Sequence, residues 1–375
     1  MERLASTPRR DWREKFEQMG FSFHSLDGEY WDESVCYRFS SGEIDMLEAA
    51  AAELHRLCRV AVGFALANDL WDELRIPAGY ADYIKRSWQA GEPSLYGRFD
   101  LAYDGQQPPK LLEYNADTPT SLVEAAVAQW HWLQELHPAG DQFNSLHERL
   151  IARWREIANG LPQPLHFACV RDNEEDRVNL EYLADTALQA GVDVRFLNIE
   201  NIGLDQAGHL VDLANQAIVA LFKLYPWEWL AREPFGPALP KATLRMIEPP
   251  WKMVLSNKAL LPLLWELFPD HPNLLPAYFD AAALGERHVV KPIFSREGAD
   301  IVLHDGAAAF RGVTDGYGAE GFVYQALAPL PSLAGNYPVI GAWIVGDDPV
   351  GIGIRESNTP ITGNLSRFVP HYFED

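Results

Sequence analysis

The run Arg98-Phe-Asp-Leu-Ala-Tyr103, a six-residue connection, and Lys110-Leu-Leu-Glu-Tyr-Asn115 constrain this chain more than any other stretch. Both runs alternate apolar and polar residues, the period of strands whose two faces meet different surroundings. The connection Asp104-Gly-Gln-Gln-Pro-Pro109 is turn chemistry, so the pair reads as a β-hairpin. With Tyr103 opposite Lys110, Asp100 falls opposite Glu113 and Arg98 opposite Asn115. One face then carries Arg98, Asp100, Glu113 and Asn115. Two carboxylates directly across a ladder repel each other. A hard divalent cation removes that conflict, and carboxylate and amide oxygens are ligands that Mg²⁺ accepts alongside substrate phosphates. A solvated sheet face with an incidental acidic pair accounts for the same residues.

The chain has 375 residues with 47% hydrophobic content, ample for a large core, and its length suggests two or three lobes. No apolar run approaches the length of a membrane span, so no membrane partner is expected. The start, Met1-Glu-Arg-Leu-Ala-Ser-Thr-Pro-Arg-Arg10, lacks the apolar stretch of a secretory signal. Cys36, Cys58 and Cys169 have no CxxC spacing, which fits a reducing cytoplasm and argues against a disulfide framework or zinc. A net charge of −22 opposes nucleic acid as a partner. It is compatible with a cationic substrate such as a polyamine, and equally with solubility alone.

Further along, Ser41 to about Asn68 has the cap and apolar spacing of a long helix. Thr118-Pro-Thr-Ser-Leu-Val-Glu124 looks like a helix entry with Pro119 near the first position. An α/β unit follows between about 164 and 225: strands at Leu165–Val170, Val192–Leu197 and Gln216–Tyr225, with a helix from Arg171 to Gly191. The acids from Asp172 to Asp176 lie past a strand end, where open α/β sheets bind ligands, although a charged helix start explains them too. The last third gives a helix from Asn257 to Phe268, then strands near 288–293, 299–303, 321–327, 338–345 and 350–355 as one antiparallel set. Lys291, in an apolar strand, needs an anion or a route to solvent. The glycine-containing loop Phe294–Gly298 offers backbone donors to phosphates. No Walker loop is present.

Arg98-Phe-Asp, Glu113-Tyr-Asn-Ala-Asp117, Asn257-Lys-Ala, Val290-Lys-Pro-Ile293, Tyr324-Gln-Ala-Leu327 and Gly353-Ile-Arg355 occur in the order seen in glutathionylspermidine synthetases. From about residue 10 onward the chain resembles the synthetase half of that family, and more closely its stand-alone bacterial acid–amine ligase branch. The resemblance implies an α/β (α+β) fold of ATP-grasp type, with antiparallel ATP-binding sheets and an inserted α/β subdomain of three or more strands. The implied division is two catalytic lobes, 1–160 and 226–375, and a substrate subdomain at 161–225. The implied reaction is ATP- and Mg²⁺-dependent formation of an amide through an acyl-phosphate. It would join a small peptide or amino-acid carboxylate to an amine such as a polyamine.

By position, the resemblance makes Asp100, Glu113 and Asn115 ligands of a pair of Mg²⁺ ions, and Arg98 the stabiliser of charge during phosphoryl transfer. It assigns Arg98, Phe99, Asp100, Lys258, Lys291, Gly298, Gln325, Leu327 and Arg355 to ATP, and Thr118, Thr120 and Glu175 to the acid substrate. Leu224 replaces a family threonine, and the tail from Glu356 to Pro370 also departs from the family pattern. Two other readings remain: a metal-dependent hydrolase using the hairpin alone, and a non-catalytic nucleotide-binding relative of a ligase.

Overall fold

The computed structural model describes residues 1–25, 28–364 and 366–374. The long helix is Ser41–Ala67, started by a capping box in which Ser40 and Glu43 exchange side-chain-to-backbone hydrogen bonds. Ile44, Leu47, Ala51, Leu54, Cys58, Ala61 and Ala65 recur at helical spacing and are buried, packing the helix across a central sheet.

That sheet has five antiparallel strands in the order Arg367–Val369, Asp348–Ser357, Tyr337–Val345, Tyr96–Ala102 and Lys110–Asn115. A second five-stranded antiparallel sheet runs Ala277–Tyr278, Phe322–Ala326, Arg287–Pro292, Val302–Asp305, Ala308–Arg311. The expected single set of late strands is thus divided between two sheets. The cause lies in Tyr337–Val345, buried along almost its whole length, which needs a partner on each edge and finds one in the Tyr96–Ala102 strand.

The α/β unit is a parallel sheet, as expected, of Val194–Asn198, Leu165–Cys169 and Ala220–Lys223, extended to four strands by Arg245–Ile247 from beyond the anticipated segment. Its helix begins at Glu174 rather than Arg171, because the Asn173 side chain accepts from the Asp176 N–H at 3.0 Å and caps the first turn. A small sheet of Glu2–Ala5, Val35–Ser40 and His371–Glu374 ties the first residues to the last described ones.

The helix entry near Thr118 also differs from expectation. Helical structure starts only at Leu122, passes through the π-helix Glu124–Ala128 and continues as Gln129–Leu136. Ser121 sits at φ 66°, outside the helical region, and the Thr120 carbonyl is turned toward Arg98 instead of starting a helical ladder. Likewise Leu260–Leu267 is helical, whereas Asn257 and Lys258 precede it. The Asn257 side chain accepts from the Ala259 N–H at 3.0 Å, leaving Lys258 free to reach sideways.

Candidate active site

The hairpin pairs Asp100 with Glu113 and Arg98 with Asn115, the expected register. Nearer the turn, Ala102 rather than Tyr103 faces Lys110, and the difference is absorbed by a bulge at Leu112. Beside the bulge, on the outer edge of this sheet, two carbonyls are open to partners from elsewhere. Lys291 Nζ donates to the Leu112 carbonyl at 2.7 Å, and Gln325 Nε2 donates to the Leu111 carbonyl at 2.9 Å. Lys291 also donates to Gln325 Oε1 at 2.7 Å. Residues of the second sheet therefore lock onto the irregular edge of the first.

Arg98 lies along the same face. Its Nε donates to Asp100 Oδ1 at 2.7 Å, one terminal nitrogen to Asp100 Oδ2 at 3.1 Å, and the other to the Thr120 carbonyl at 2.6 Å. Such a fork fixes the guanidinium plane. Gly341, across the ladder, makes room for it: a Cβ there would lie 2.9 Å from Arg98 Cδ. Asn115 Nδ2 donates to Asp100 Oδ2 at 3.2 Å and more weakly to Glu113 at 3.4 Å. Lys258 Nζ lies 3.2 Å from Glu113 Oε2 and donates to the Ser295 carbonyl at 2.7 Å.

These charges act on one another in a dry setting. Burial raises the Glu113 carboxyl, but Lys258 and Lys291 outweigh it and hold the group at about 2. Burial lowers Lys291 to about 8, against the pull of Glu113. Asp100 is shifted upward, burial prevailing over the opposing Arg98 charge. The face thus combines an anionic carboxylate, a second carboxylate that burial makes harder to ionise, and an amide. Those hard oxygen donors suit a Mg²⁺-type cation once the Asn115 amide presents its oxygen, and the rest of the coordination shell would come from water or phosphate oxygens.

A cleft of about 270 Å³ opens beside this face. Arg98, Asp100, Glu113, Asn115, Thr118, Thr120, Lys291, Gly298, Gln325, Leu327 and Arg355 all line it. Lys258 lines a smaller adjoining pocket with Glu113 and Asn115. Phe99, on the alternate face of its strand, points into the core and stacks on Tyr114 at 4.0 Å between ring centroids. At the start of the Glu174–Gln189 helix, Asn173 and Asp176 form the cleft wall, and Glu175 stands between them in sequence. Burial and the neighbouring Glu175 charge push Asp176 up to about 7. Gly298 adopts φ 67° where a Cβ would meet the Thr362 carbonyl at 2.4 Å, so the loop lies flush on the tail. Arg355 donates to the Gly363 carbonyl at 2.6 Å from the same side.

Arg296 was not singled out by the sequence. It donates to Thr118 Oγ1 at 2.7 Å and to Glu228 at 3.3 Å, with its guanidinium over the Trp229 ring. A cation inside the glycine-containing loop was the available signal. Beneath the cleft, Lys223 Nζ donates to Asp117 Oδ1 at 2.5 Å, both side chains being fully enclosed. Asp117 Oδ2 accepts from the Trp227 N–H at 2.9 Å. This pair joins the loop bearing Thr118 and Thr120 to the segment that bears Leu224 and the short helix Trp227–Leu230.

Sheets closing on a cleft with paired carboxylates and convergent cations define an ATP-grasp-type architecture. A glutathione synthetase-like effector from Globodera pallida, solved in its apo form, shares the fold with a TM-score of 0.57 at 12% identity, covering 97% of this chain and 96% of that one. The sequence profile described as "Glutathionylspermidine synthase preATP-grasp" matches residues 3–374, and the chain belongs to that family.

A protein of Haemophilus influenzae named "Putative acid--amine ligase" is 41% identical over the full length of both chains. The trypanothione synthetase of Crithidia fasciculata is 26% identical over 95% of this chain and 57% of its own length. The bifunctional glutathionylspermidine synthetase/amidase of Escherichia coli is 28% identical over 88% of this chain. The alignment spans 58% of that bifunctional protein. Among the described residues, no helix is long and apolar enough to cross a membrane.

Proposed function

We propose that the chain is an ATP- and Mg²⁺-dependent ligase that joins a small peptide or amino-acid carboxylate to an amine through an acyl-phosphate. The observation that carries this reading is the convergence of Lys258, Lys291 and Arg98, from three separate elements, around Glu113 and Asp100. A hydrolase working from the hairpin alone leaves the two lysines and Arg355 without a task. The names of the relatives, all ligases or synthetases, favour the same class.

In this reading Asp100, Glu113 and Asn115 hold the cation, one ion or a pair, which offsets charge on the ATP phosphates when bound. Lys258 and Lys291 bind phosphate oxygens, with the Gly298 loop covering them. Gln325 and Leu327 border the adenine, Phe99 contributes through its strand backbone, and Arg355 closes the nucleotide side. Arg98 stabilises the charge that moves as the carboxylate takes the γ-phosphoryl group. The 161–225 segment supplies the substrate wall between lobes 1–160 and 226–375, with Thr118, Thr120 and Glu175 toward the acid. Leu224 on that wall and the altered tail make glutathione and spermidine members of the class to be tested. The three buried free thiols suit a reducing cytoplasm.

The test is to incubate the protein with ATP, Mg²⁺ and a panel of di- and tripeptides, glutathione included, with diamines and polyamines, measuring ADP and product mass. ADP release that requires both an acid and an amine, with a product lighter than their sum by one water, is expected. Cleavage without ATP would support the hydrolase, and ATP binding without turnover the non-catalytic relative.

A further inference from the structure

Behind Arg98 the cleft continues into a small recess lined by Arg98, Asp100, Ser121, Gly341 and Arg355. Ser121 occupies this wall at φ 66°, a backbone region that non-glycine residues rarely adopt and that recurs at functional sites. Ser121 Oγ lies 3.1 Å from the Tyr30 hydroxyl, and the Tyr30 hydroxyl donates to Glu124 Oε1 at 2.6 Å. Tyr30 has one hydrogen, and Glu124 receives it. The 3.1 Å contact is therefore Ser121 donating to Tyr30, which leaves the lone pairs of Ser121 free to accept a proton from the recess. The chain of hydrogens points one way, from the recess to the carboxylate.

Glu124 is built for the receiving end. Among the described residues it has no solvent exposure, and its Oε2 has no hydrogen-bond partner. It opens the π-helix, a local distortion often found at functional sites. The charged and titratable groups bearing on it are Glu175, Tyr30 and Arg355. Burial, helped by Glu175 and opposed by the Tyr30 hydrogen bond and Arg355, raises its carboxyl to about 7.

We propose that Ser121, Tyr30 and Glu124 form a proton relay that removes the proton the amine loses as the amide bond forms. The proposal rests on the ligase reading above. Two guanidinium groups line the recess, so an amine there is held better neutral than as an ammonium ion. The amine nitrogen bonds to the acyl carbon, and the bond from that carbon to the phosphate oxygen breaks, phosphate leaving with the electron pair. The surplus proton on nitrogen passes to Ser121 Oγ as the Ser121 hydrogen moves to Tyr30 and the Tyr30 hydrogen to Glu124. Nothing is oxidised or reduced, and Glu124 returns its proton to solvent between turnovers.

Glu124→Gln and Tyr30→Phe each break the relay with little change of volume. Both are compared with the unmodified protein using ATP, Mg²⁺ and the acid–amine pair of the panel that turns over fastest, then with hydroxylamine replacing the amine. Once bonded to the acyl carbon, the hydroxylamine nitrogen holds its surplus proton far more weakly than an alkylamine nitrogen does and releases it to water without a built base. Amide formation should fall about a hundredfold or more, the scale of lost proton-transfer assistance. Hydroxamate formation should stay within a few-fold, and the rate inflection near pH 7 set by Glu124 should disappear. Unchanged amide formation in both variants would overturn the relay, and so would an equal loss of amide and hydroxamate. No ATP-dependent hydroxamate or amide from the unmodified protein would instead overturn the ligase reading, and the relay with it.

Discussion

Replacing Glu113 with Gln removes one negative charge and leaves the volume of the side chain almost unchanged. Its carboxylate lies opposite Asp100 and 3.2 Å from Lys258, with a quarter of the side chain exposed. Burial alone would raise its pKa, yet Lys258 and Lys291 bring it from 4.5 to about 2. That gap corresponds to roughly 3 kcal/mol of native-state stabilisation, at ~1.4 kcal/mol per pH unit. A depressed carboxylate stabilises above the unfolded pKa and loses that contribution as pH falls through the folded one. The Gln variant should therefore unfold at lower urea concentration at neutral pH, and the deficit should shrink as pH drops from 4.5 toward 2. Turnover, followed as ADP release, should fall about a hundredfold or more, the scale for removing one electrostatic stabiliser of a transition state. A variant with full turnover at ordinary Mg²⁺ would refute the cation role. One equally stable at neutral pH would refute the charge coupling.

Arg98→Ala should lower kcat more than it raises the KM for ATP, because the fork to Asp100 and the Thr120 carbonyl aims the guanidinium where charge moves; steady-state kinetics check this. Lys291→Met should weaken ATP binding measured by calorimetry, and should loosen the hairpin edge by leaving the Leu112 carbonyl without its partner, seen as faster amide exchange around the bulge. Asp176→Asn should stabilise the protein. Burial raises Asp176 from 3.8 to about 7, so its ionisation works against the native state progressively across that interval. The advantage of Asn in urea unfolding should be small below pH 3.8, grow up to about 7 and then level off.

The functional end of the hairpin was legible because alternation assigns Arg98, Asp100, Glu113 and Asn115 to one face wherever the strand ends fall. The Leu112 bulge was not, since the groups that satisfy the open carbonyls beside it, Lys291 and Gln325, come from strands more than 170 residues away. Local signals placed the Ser41 helix and the parallel α/β unit within a few residues. The allocation of the late strands between two sheets followed from the two-edged demand of the buried Tyr337–Val345 strand, a tertiary matter. Long-range pairing also hid the Arg296 contact with Thr118, 178 residues apart, and the Tyr30 contact with Glu124, 94 apart. Asp176 rather than Glu175 reaching the cleft wall depended on where the helix starts, and Asn173 decided that by capping.

The most direct test of the ligase account follows an oxygen atom. The acid substrate found in the panel is labelled with ¹⁸O in its carboxylate, turned over with ATP, Mg²⁺ and the amine, and the released phosphate is examined by mass spectrometry. Transfer through an acyl-phosphate places one ¹⁸O in each phosphate released, and the amide keeps the other. Labelled amide formed with phosphate free of label, the displaced ¹⁸O appearing in AMP or water instead, would contradict the account.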